Sequence, residues 1–89
     1  MLISLIDDLT KSLEKEPKNA FELSYHNKLY LIIGKYDEAF EDLNRLLEIE
    51  PDNTIALRYR GETNYMMKRY NESIADLKEL LKIKPNEYE

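Results

Sequence analysis

The sequence predicts an all-α fold, a solenoid of antiparallel helix hairpins in which five helices make half a unit and two whole ones. Three observations carry this. The only prolines, Pro17, Pro51 and Pro85, stand 34 residues apart, a spacing that matches a helix–turn–helix array. The same residues return around each of them: Asp8, Asp42 and Asp76 nine positions before, Leu9, Leu43 and Leu77 eight before, Leu13, Leu47 and Leu81 four before. Residues 18–51 match 52–85 at 11 of 34 positions, among them Tyr25/Tyr59, Tyr36/Tyr70, Glu38/Glu72 and Ile49/Ile83, while 1–17 match 35–51 at 6 of 17. The 89 residues therefore divide as one small domain: a half unit 1–17, whole units 18–51 and 52–85, and a tail 86–89.

Each helix has its own signals. In residues 2–16, Leu2, Leu5, Ile6, Leu9 and Leu13 share one face, with Asp7, Asp8, Lys11 and Lys15 opposite. Pro17 stops this helix because proline disfavours a helical residue before it. Asn19 is placed to cap the next, with Glu22 three residues on as reciprocal partner. That second helix runs to about Ile33, where Gly34 suits a left-handed end. The third begins at Asp37 and presents Phe40, Leu43, Leu46, Leu47 and Ile49. Pro51 to Thr54 repeats the stop-and-cap signal, so the fourth covers residues 54–67 and the fifth residues 71–84, with Ile74, Leu77, Leu80, Leu81 and Ile83 apolar. Short connections require consecutive helices to pack antiparallel.

Composition narrows the function. Thirteen basic and 18 acidic residues give a net charge of −5 with no basic tract, so neither nucleic acid nor an anionic membrane surface is an expected partner. Without cysteine there is no disulfide or thiolate metal site, and a cytoplasmic location is expected. The apolar start, residues 1–6, is cut short by Asp7 and Asp8, lacks a basic flank and does not resemble a signal peptide.

The period, together with Leu23, Tyr30, Ala39, Leu43 and Pro51 in one unit and Leu57, Gly61, Ser73, Leu77 and Pro85 in the next, resembles the tetratricopeptide repeat family over nearly the whole chain. Tyr36 and Tyr70 fit the aromatic often found at the family's inter-helix turn. Asn27 and Leu46 in the first unit, and Asn64 and Leu80 in the second, depart from the pattern. The resemblance implies a right-handed α-solenoid that binds a protein or peptide on its concave side and uses no cofactor.

Catalytic chemistry is not expected. His26 is the only histidine and reads as a structural or surface residue. Asp7/Asp8, Asp37/Glu38 and Glu41/Asp42 are adjacent on helices, do not face one another, and read as solvated faces. Neither metal-ligand spacing nor a glycine-rich phosphate loop is present. Binding is the better reading. The stripe expected to line the hollow is Phe21, Ser24, Lys28 and Leu31, then Ile55, Arg58, Glu62 and Tyr65, with Tyr25 and Tyr59 beside it. The alternative is that these apolar residues pack between units; Met66 and Met67 read as core filler. Family members that grip a terminal carboxylate use a lysine and asparagine set, whereas this chain has Ser24, Lys28 and Tyr59 there, so that clamp is not expected.

The ends are a second site. A stack begun and ended inside a repeat leaves Leu2, Leu5, Ile6 and Leu9 at one end and Ile74, Leu77 and Leu81 at the other without full cover. Homo-oligomerisation through these ends is therefore expected, and an excised or engineered array fragment with no foreign ligand is the alternative function.

Overall fold

A computed structural model describes residues 1–83, and five α-helices are the regular elements among them: α1 (Leu2–Lys15), α2 (Ala20–Ile32), α3 (Tyr36–Ile49), α4 (Thr54–Met66) and α5 (Tyr70–Ile83). Pro85, the tail 86–89 and the predicted extension of the fifth helix to Lys84 lie outside the described residues.

The turns work as the residues dictate. Asn19 Oδ1 accepts the backbone N–H of Glu22 at 3.1 Å, and Asn53 Oδ1 accepts that of Ala56 at 3.0 Å, so both first-type helices start on a side-chain cap. The expected reciprocal half of the first cap is replaced. Ser12 Oγ donates to the Glu22 carboxylate at 2.8 Å, which ties α1 to α2 instead. Gly34 takes φ +80° between α2 and α3. Lys68, 34 residues on, takes φ 63° in the same turn between α4 and α5. Glycine tolerates that conformation and lysine does so at a cost.

Each helix packs on its chain neighbours, α1 on α2, α2 on α3, α3 on α4 and α4 on α5, in a body of 39 × 24 × 19 Å. The core runs along the stack from Leu13 through Leu23, Leu43, Leu46 and Leu57 to Leu80. Full burial of each such leucine contributes about 1.5–3 kcal/mol.

Burial follows the repeat. In α3, which has helices on both sides, Ala39, Asp42, Leu43, Leu46 and Leu47 are all buried. In α5 only the side facing α4 is covered: Ser73, Asp76 and Leu80 are buried, while Ile74, Leu77 and Leu81 are exposed. In α1 the covered side faces α2. Ile6 is 5% exposed there, which corrects the expectation that it belongs to an open end. Leu2 and Leu5 do face outward, and Leu9 is half-buried.

Candidate interaction faces and the polar links between units

The first helix of each pair carries the exposed stripe. Phe21, Tyr25, Lys28 and Ile32 follow one another at helical spacing on α2, and Ile55, Tyr59, Glu62 and Met66 stand 34 residues further on in α4. The two rows meet, because Lys28 Nζ lies 5.9 Å from the centroid of the Tyr59 ring. Within a row, the Phe21 and Tyr25 rings are 6.4 Å apart, and Tyr65 meets Tyr70 of α5 edge-on at 5.5 Å.

Exposure separates the expected site residues into two groups. Phe21 at 76% and Tyr65 at 61% are largely free to solvent. Ile55, Tyr25, Lys28 and Glu62 are exposed too. Ser24, Leu31, Arg58 and Tyr59 are half-buried, and Tyr59 packs against the core. Two residues of this face were not among those expected, Ile32 and Met66, 66% and 55% exposed. Their signal was present: they continue the row from Phe21 and Ile55 by eleven residues, three helical turns, and are one repeat apart. Met66 therefore does not fill the core, contrary to its sequence reading. Beside it, Gly61, Glu62, Tyr65, Met66, Ser73 and Leu77 line a cleft of about 490 Å³ between α4 and α5.

The only histidine has a role that sequence reading only half described. His26 is buried, with Nδ1 2.5 Å from Asp42 Oδ2 and Nε2 2.9 Å from Thr10 Oγ1. The Thr10 hydroxyl donates to the Ile6 carbonyl at 2.8 Å, so its oxygen is left to accept from Nε2–H. Nδ1 and Asp42 then share one proton. Burial pushes the Asp42 carboxyl above its ordinary value of 3.8, and the charge and hydrogen bond of His26 partly offset this. Asp42 thus leaves the solvated face to which its neighbour Glu41 belongs, at 4% exposure.

One repeat later the same link is built from different residues. Arg60 Nη2 and Nε donate to Asp76 at 2.7 and 3.1 Å, and Arg60 Nη1 donates to Asn44 at 3.0 Å. Thr10, His26 and Asp42 become Asn44, Arg60 and Asp76, each shifted by 34 residues. A polar side chain on a first-type helix, His26 or Arg60, thus pins the second helix of its own unit and touches that of the unit before. Among the described residues, no group of three or more His, Asp or Glu side chains is arranged to hold a metal ion. Nor is any described helix long and apolar enough to cross a membrane.

Comparison with known proteins fits this geometry. The family model described as Tetratricopeptide repeat matches residues 28–53 and 60–87. Among solved structures, a tetratricopeptide repeat protein from Parabacteroides merdae superposes with a TM-score of 0.91 at 26% identity, over 96% of this chain and 33% of that one. MamA superposes with a TM-score of 0.89 at 23% identity, over 94% of this chain and 49% of its own. The first such domain of Spaghetti (RPAP3), bound to the HSP90 peptide SRMEEVD, gives 0.86 at 24% identity, over 96% of this chain and 68% of that one. The chain thus spans about half of MamA's length and a third of the Parabacteroides protein's. No curated protein matches it by sequence.

Proposed function

The chain belongs to the tetratricopeptide repeat family, whose fold is a general protein–protein interaction scaffold, and we propose that it binds a peptide segment of a partner protein across the shared face of α2 and α4. One observation carries this reading: Phe21, Tyr25, Ile32, Ile55 and Met66 stay exposed on the repeating row of α2 and α4, with Tyr65 exposed beside it, although the same helices bury leucines on the other side. Contiguous exposed apolar surface of this kind marks an interaction site. Rigid aromatic anchors flanked by Lys28 and Glu62 suit a segment with apolar side chains and charges of both signs. A free terminal carboxylate is not its expected anchor, since Ser24, Lys28 and Tyr59 occupy the places of that clamp.

An immobilised peptide array probed with the whole chain tests this. Tyr65→Ala and Phe21→Ala are expected to weaken every bound spot by about tenfold, the loss of one well-packed aromatic anchor. Retention of binding by both variants removes the reading.

A second reading is favoured by α5, where Ile74, Leu77 and Leu81 form an exposed apolar row. On that reading this row pairs with its copy in a symmetric dimer. Leu77→Ser then lowers the mass seen by light scattering while Tyr65→Ala does not. A monomer of 10.6 kDa at all concentrations excludes it.

A further inference from the structure

Lys28 and Glu62 stand at equivalent places in α2 and α4, 34 residues apart, and carry opposite charges. Both are exposed, and among the described residues neither forms an ion pair, with the other or with any third group. Lys28 is directed all the same. Its Nζ lies 5.9 Å from the centroid of the Tyr59 ring, so the side chain leans out of its own row and over α4. Glu62 follows Tyr59 by three residues, one turn further along the same side of α4. Helix α2 packs on α1 and α3, and α4 packs on α3 and α5, so described helices form both walls of the groove between the two rows.

That groove is charged but not symmetric. Its ends are apolar, with Phe21 and Ile55 at one and Ile32 and Met66 at the other, all four exposed. Between them an unpaired cation and an unpaired anion hold separate places. A cation beside an aromatic ring favours a ligand carboxylate with apolar neighbours, and the Glu62 carboxylate favours a ligand cation. We infer that Lys28 and Glu62 orient the bound segment. The partner sets an acidic side chain at Lys28 and a basic one at Glu62, with apolar side chains on either flank, and a segment with those two charges exchanged is rejected. The inference rests on the peptide-binding reading of this face, and adds which way the segment lies and which two residues decide it. Exchanging the ligand's charges turns two attractions into two like-charge contacts, so exclusion of the wrong order contributes as much as recognition of the right one.

The probes are two pools of fluorescein-labelled synthetic peptides with phenylalanine, tyrosine, leucine or isoleucine at both ends. In one pool a glutamate precedes a lysine in the middle by three or four residues; in the other the two are exchanged. Each pool is titrated with the full-length chain and read by fluorescence anisotropy. One pool is expected to bind about tenfold more tightly than the other. K28E with E62K exchanges the two charges, leaves the net charge at −5, and should invert the preference. K28E alone or E62K alone puts like charges at both places and should erase it. Salt at about 0.5 M should narrow the preference while binding persists, since apolar contacts are not screened. Both positions are exposed, so the variants should keep the circular dichroism spectrum and melting temperature of the parent chain. Saturable binding of both pools with equal affinity, or a doubly exchanged chain that keeps the parent's preference, overturns this inference and leaves the peptide-binding reading in place. No saturable binding of either pool removes both.

Discussion

Replacing Arg60 with methionine tests whether the polar link between units holds the second hairpin together. Arg60 donates to Asp76 at 2.7 and 3.1 Å and to Asn44 at 3.0 Å, while Asn64 Nδ2 gives Asp76 one further bond at 3.0 Å. Without the guanidinium, a carboxylate whose side chain is 8% exposed keeps only the Asn64 amide. Breaking a fully buried pair costs roughly 3–5 kcal/mol. The Arg60 side chain is 26% exposed, so water can reach the gap, and we discount the loss to about 2–3 kcal/mol. A domain of this size has on the order of 5–10 kcal/mol in all. The variant should therefore fold, with a melting temperature lower by roughly 10–20 °C. Replacing both partners, Arg60→Met with Asp76→Leu, should recover about half or more of the loss, because no charge is then stranded. Urea unfolding of the four proteins of this double-mutant cycle gives the coupling energy. A coupling within about 0.5 kcal/mol of zero, or an Arg60→Met chain as stable as the parent, would show that the link is incidental.

Three further outcomes follow from single positions. Lys68→Gly relieves a left-handed lysine at φ 63° and should stabilise the chain by about 0.5–1 kcal/mol in urea unfolding, whereas Gly34→Ala, at φ +80°, should destabilise it by a similar amount. Gly61→Ala gains about 1 kcal/mol of helix propensity and must move Leu77 Cδ2 from 3.2 Å; Leu77 is exposed on its outer side and can yield, so the melting temperature should rise by a few degrees, and a fall would mean that Leu77 is pinned. The Asp42 carboxyl is raised above 3.8 by burial, so the folded chain holds that proton more tightly than the unfolded one. Its share of stability is present below pH 3.8 and is lost as pH rises through the raised value, with His26, Arg45 and Glu41 setting how far up that value lies. Asp42→Asn should remove this part of the slope from the urea midpoint plotted against pH, and an unchanged slope would refute the assignment.

The fold was legible because its signals are local and repeated. A proline, a capping asparagine and a stripe of leucines act within one or two turns of helix, and each was written twice or more. All five helices begin and end within a residue or two of the predicted limits where they are described. The errors came from relations across helices. Asp42 beside Glu41 looked like part of a solvated face because the sequence does not show that His26, sixteen residues away, folds back onto it. Ile6 looked like part of an open end because a helical stripe gives a direction but not which neighbour covers it. Met66 looked like core, although Ile32 one repeat earlier is exposed in the same place.

The polar link changes residues between units without losing its form. The place is filled by a histidine in α2 and an arginine in α4, and its outer partner changes from Thr10 to Asn44. Threonine gives its only proton to the Ile6 carbonyl and can then only accept, which suits an imidazole N–H; the Asn44 carbonyl accepts one branch of a guanidinium fork that a single ring nitrogen could not reach in the same way. The aspartate is constant because the imidazole and the guanidinium both pair with a carboxylate at the same height on the facing helix. The two hairpins must therefore respond differently to acid and base although they share one design. The arginine pair keeps its cation at every ordinary pH, while in the histidine pair burial raises the Asp42 carboxyl above its ordinary value. In a stack where each unit contacts only its neighbours, that difference makes α2 and α3 the hairpin whose local stability follows pH. Amide hydrogen exchange should show protection in α2 and α3 varying with pH while that of α4 and α5 stays level. Equal pH sensitivity in the two hairpins would mean that the buried Asp42 carboxyl is not what distinguishes them.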